Sequence, residues 1–115
     1  MTRFLIAAAM IAATVGSAWA DTLVYKAAGI ELEMQKGAFS SNDGRAEQLI
    51  TIKNSSAVPV RYATVECGFF HGDLLIARDT SMISDLQPGQ DGYVEMRAYV
   101  LSADRTDCRF TGVRQ

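Results

Sequence analysis

The chain has 115 residues, a formal net charge of −2 and 49% hydrophobic residues. That length holds one domain and excludes a large multidomain enzyme. The balance is slightly acidic, and no basic run follows residue 3, which argues against a nucleic-acid-binding surface or attraction to an anionic membrane.

The hydrophobic residues are unevenly spread. Fifteen of the first twenty are hydrophobic. Arg3 supplies a short basic start, Phe4 to Val15 an apolar stretch, and Ala18-Trp19-Ala20 the small residues that a signal peptidase admits. Residues 1–20 therefore read as a secretory signal cut between Ala20 and Asp21. The apolar run is shorter than the roughly 20 residues a bilayer crossing needs. Residues 21–115 are expected as one soluble domain outside the cytosol, in the periplasm or secreted. Without Arg3, that part has ten basic and thirteen acidic residues.

Strand signals dominate the rest of the chain. Thr22–Ala27 is a short β-prone run. Ile30, Leu32 and Met34 then alternate with Glu31, Glu33 and Gln35, the period of a strand with one wet face. Gly37–Gly44 has the composition of a loop. Alternation resumes over Gln48–Lys53 and stops at Asn54-Ser55-Ser56. Pro59–Phe70 is the strongest strand, with Ala63, Val65, Cys67 and Phe69 on one face and Tyr62, Thr64 and Glu66 on the other. His71-Gly72-Asp73 predicts a hairpin turn into Leu74–Arg78. Asp79–Asp91 reads as a connection, and its Pro88-Gly89 suits a type II turn. Tyr93–Val100 alternates again, and Cys108 and Phe110 share the inner face of a last strand. Seven strands with no long amphipathic helix predict an all-β antiparallel sandwich.

Cys67 and Cys108 are the only two cysteines. In an exported chain an even count predicts a disulfide, and neither metal nor redox chemistry uses this spacing. The bridge closes a loop of about 42 residues, for which loop entropy gives about 4 kcal/mol.

The order Ile50-Thr-Ile-Lys-Asn54-Ser, a strand ending Cys67-Gly-Phe69-Phe70, then Gly72-Asp73-Leu74-Leu75 and Leu86-Gln-Pro88-Gly89 resembles the FxLYD-type Ig-like domains of exported bacterial proteins. Phe69-Phe70-His71 stands near the place of that family's Leu-Tyr-Asp element. The resemblance covers about half of residues 21–115. It implies an Ig-like sandwich, also described as fibronectin-like, in the bacterial envelope. It implies no catalytic residue.

His71 is the sole histidine, and no nucleophile signature accompanies it. No enzyme activity and no cofactor are expected. Met34, Met82, Met96 and His71 are copper-type ligands without a tight cluster, and Met34 and Met96 have core parity. Asp85, Asp91, Asp104 and Asp107 sit at turns, without the dense spacing of a calcium loop. Asn54-Ser55-Ser56 is a formal glycan acceptor, relevant only in a eukaryotic secretory pathway. Tyr62, Tyr93, Arg97 and Tyr99 have outward parity and form the candidate partner-binding face.

The leading expectation is a small exported interaction module, bound to an envelope protein. The alternatives are a periplasmic copper handler and an inhibitor of a secreted hydrolase acting through Phe39–Arg45 or His71–Asp73.

Overall fold

A computed structural model describes residues 22–115. The expected signal segment and its cleavage position lie outside the described residues. Among the described residues seven strands follow one another: β1 (Thr22–Ala27), β2 (Ile30–Asn42), β3 (Arg45–Asn54), β4 (Val60–His71), β5 (Leu74–Leu86), β6 (Asp91–Ala98) and β7 (Arg105–Arg114). All regular structure among the described residues is β, as the alternation predicts.

The strands form two sheets, ordered β1-β2-β3-β6 and β5-β4-β7, with every pair antiparallel. Adjacent β3 and β6, lying over adjacent β4 and β7, reproduce the relationship of strands B, E, C and F in an immunoglobulin-like sandwich. The core is made by inward parity. Leu32, Met34, Ile50, Ile52, Val60, Ala63, Val65, Cys67, Phe69, Leu86 and Met96 are buried between the sheets.

The bridge between Cys67 and Cys108 is present. The two residues are direct partners on β4 and β7. It therefore staples neighbouring strands of one sheet, whereas the antibody-type bridge joins B to F across the sandwich.

Two predicted loops are strands. Gly37–Asn42 extends β2, leaving only Asp43-Gly44 as the turn. Both turn residues have positive φ, 51° and 77°, as a two-residue type I′ hairpin requires. The register of β2 on β3 shifts between Lys36 and Phe39. Buried Gln48 compensates: its amide donates to the carbonyls of Gly37 at 3.0 Å and Ala38 at 3.3 Å, and its Oε1 accepts from Thr106 Oγ1 at 2.6 Å. That side chain stitches β3 to β7 across the sandwich.

Likewise Asp79–Leu86 continues β5 rather than forming a connection, because β4 supplies a partner along the whole length. The connection shrinks to Gln87–Gln90. Gly89 has φ 79° and Gln90 N donates to Gln87 O at 2.9 Å, so the Pro-Gly turn forms as predicted.

Asn54 organises this end of the molecule. Its side chain is fully buried. Its Nδ2 donates to Val58 O and Leu86 O, both at 2.9 Å, and its Oδ1 accepts from Ser56 N at 2.9 Å. Its backbone holds Gly89 and Gln90. Burying an amide is tolerable only with such full pairing.

Candidate functional site

Three connections gather at the opposite end of the sandwich: the Asp43-Gly44 turn, the Gly72-Asp73 turn and the Tyr99–Asp104 loop. The third loop follows β6 and is pinned in two ways. Ala103 is buried and Val100 packs against the core. Asp104 N donates to Phe70 O at 2.8 Å, and the Asp104 carboxylate accepts from Gly72 N at 3.0 Å. His71 Nδ1 lies 2.7 Å from Ser102 O and 3.5 Å from Asp104 Oδ2. Arg105 stacks 4.3 Å from the Phe70 ring centroid and donates to Gly72 O at 3.2 Å. Ser102 takes φ 67°, a conformation that a non-glycine residue adopts only when its surroundings hold it there.

The pinned loop turns two large side chains outward. Tyr99 is 76% exposed and Leu101 75% exposed. Leu101 lies over Gly44, whose added Cβ would sit 3.5 Å from Leu101 Cδ2. Leu74, after the Gly72-Asp73 turn, is 65% exposed. A shallow recess beside Tyr99 is lined by Ser40, Asn42, Asp43, Gly44, Arg45 and Glu47. Charges flank the same area. Arg97 pairs with Glu95 at 2.6 Å and Glu47 at 3.3 Å, and Arg45 with Glu47 at 3.0 Å. The hydrogen bond and charge of Glu95, joined by the charge of Glu47, hold the Arg97 guanidinium above its ordinary pKa. It is a permanent cation.

The predicted tyrosine face is divided by the fold. Tyr93 and Arg97 lie on the outer face of the four-stranded sheet, as partners of Thr51 and Glu47. Tyr99 stands just past the end of β6, at the loop end. Tyr62 belongs to the other sheet, opposite Ser84 and Arg114, on the face away from buried Ala63. The four residues therefore do not form one surface, because outward parity on β4 and outward parity on β6 point to opposite sides of a sandwich. Leu101 and Leu74 stand exposed at the loop end with Tyr99, without outward parity in the sequence to mark them. The signal for Leu101 is the run Tyr99-Val100-Leu101, which carries large side chains past the end of the β6 alternation.

The soft metal ligands are separated. Met34 and Met96 are core residues, Met82 lies on β5 opposite Thr64, and His71 sits at the turn. Among the described residues no group of three His, Cys, Asp or Glu side chains is placed to hold a metal ion. The Phe39–Arg45 segment, weighed as an inhibitory loop, is mostly paired strand. Asn54, the formal glycan acceptor, is buried and fully hydrogen-bonded.

Comparison with known protein families, with curated proteins and with solved structures finds no match.

Proposed function

We propose that the chain is a small exported, non-catalytic Ig-like module of the bacterial envelope that binds another protein through the loop end carrying Tyr99 and Leu101. Export follows from the reading of residues 1–20, and the envelope setting from the resemblance to FxLYD-type domains. The observation that carries the binding reading is one loop with two large apolar side chains three-quarters exposed on a backbone fixed by the Asp104, His71 and Ala103 contacts. A rigid loop presenting an aromatic anchor loses little conformational entropy on binding, which is what a recognition surface needs. The Arg45, Glu47, Arg97 and Glu95 charges form a polar rim beside that anchor.

The test is recovery of a defined partner from envelope extract by immobilised protein. Tyr99→Ser with Leu101→Ser should abolish recovery. Tyr62→Ser, on the opposite sheet face, should leave it unchanged. Equal recovery by the double variant and the unaltered protein would overturn the assignment.

A further inference from the structure

We infer that the outer edge of β7 is a self-association site, pairing antiparallel with the same edge of a second copy of this chain about a two-fold axis at Cys108.

The backbone sets which groups are free. The Cα atoms of Cys67 and Cys108 are 4.0 Å apart, the close spacing of an antiparallel pair that exchanges no backbone hydrogen bonds. The N–H and C=O of Cys108 therefore point away from β4. By alternation, so do those of Thr106 and Phe110. The Thr106 carbonyl shows this direction directly, accepting from Lys36 Nζ of β2 at 2.7 Å. Among the described residues no strand pairs with this edge.

Two features bracket the open stretch. Lys36 occupies the Thr106 end, an inward-pointing cation of the kind that guards sheet edges. At the other end β7 bulges, two of its residues spanning one step of β4 between Phe110 and Gly112, and a bulge bends a strand away from straight pairing. The segment between these brackets is centred on Cys108.

Charge then selects the occupant. The outer face of β7 reads Arg105, Asp107, Arg109. An axis at Cys108 places Asp107 opposite Arg109 of the second copy, and Arg109 opposite its Asp107. Both fall at close, non-hydrogen-bonded positions, while Cys108 pairs through the backbone with its own equivalent. Arg109 already receives Glu66 of β4, through Nε at 3.1 Å and Nη2 at 2.8 Å. Each row across the joined sheets would therefore run Glu66, Arg109, Asp107: acid, base, acid. An axis at Asp107 or at Arg109 would oppose like charges, which cross-strand pairing disfavours. An axis at Thr106 meets Lys36. The self-complementary register is thus also the one the brackets leave.

Inner-face exposure agrees. Val65 and Cys67 on β4 are fully buried, whereas their partners Phe110 and Cys108 remain partly open on this flank. A paired strand would cover them.

Sedimentation velocity over a concentration series, with circular dichroism to confirm folding, tests the proposal. The unaltered protein should show a weak monomer–dimer equilibrium. Asp107→Arg turns both rows repulsive and should weaken association by about tenfold or more. Asp107→Arg with Arg109→Asp and Glu66→Arg reverses each row to base, acid, base and should restore most of it. A protein monomeric at every concentration, association unchanged in Asp107→Arg, or no recovery in the exchanged variant would each overturn the site. Loss of association in the Tyr99→Ser, Leu101→Ser variant would move the contact to the loop end and also overturn it.

Discussion

The two flanks of the sandwich are closed by different means. On one, β5 and β6 meet at close quarters. Ile83 of β5 packs onto Gly92 of β6 so tightly that an added Cβ would lie 1.8 Å from Ile83 Cδ1. The Asp79 carboxylate accepts from Arg97 N at 2.8 Å, so a side chain completes the edge of β6. On the other flank, β7 meets β1 and β2 through the edge-to-face pair of Tyr25 and Phe110, with centroids 5.7 Å apart, and through the single Lys36 ammonium on Thr106 O. On the first flank the two edge strands interlock and a side chain caps one β6 amide, whereas on the second the backbone groups of Cys108 face outward with no described strand beside them. An edge of the second kind is one that pairs.

The largest expected effect concerns how β7 is held. Among the described residues it has one hydrogen-bonded neighbour, and the bridge to β4 is its covalent attachment. Replacing Cys67 and Cys108 together by Ala should lower stability by about 4 kcal/mol on loop-entropy grounds. Denaturant unfolding measures this, and limited proteolysis should cut within 105–114 first. On the closed flank, Gly92→Val should cost about 3 kcal/mol by overpacking against Ile83 and Leu86. A loss below about 1 kcal/mol would mean that flank is looser than described. Asp79→Ala leaves Arg97 N without its acceptor and should cost about 1 kcal/mol. Lys36→Met should change stability by no more than about 0.5 kcal/mol, yet it removes a guard of the open edge. It should therefore strengthen self-association, read by sedimentation.

How far the sequence carried this picture depends on the range of each signal. Period-two alternation located strands wherever one face is buried, as in Ile30–Met34 and Ala63–Phe69. The disulfide followed from an even cysteine count in a chain read as exported, at a spacing that metal and redox sites do not use. Alternation failed where burial is sparse. Asp79–Leu86 is polar-rich because β5 is a sheet edge, so its membership rests on pairing with β4, which no local pattern encodes. In Gly37–Gly44 the Asp43-Gly44 hairpin signal lies within a stretch whose small and polar residues have loop composition throughout. The bulge that lets Gly37 and Ala38 remain in the strand depends on Gln48, ten residues on. The candidate surface was half legible. Tyr99 and Arg97 carry outward parity in the sequence, but parity cannot say which sheet a strand joins, and so Tyr62 was placed with them. That no described strand covers the outer edge of β7 was not legible, since edge position is a property of strand order.

The most direct measurement is amide hydrogen exchange at two protein concentrations. The Arg97 amide, held by Asp79 on the closed flank, should be protected equally at both. The Cys108 amide should exchange rapidly when dilute and slow as concentration rises. Protection of Cys108 that matches Arg97 in dilute solution, or that does not change with concentration, would contradict the account of an open, self-pairing edge.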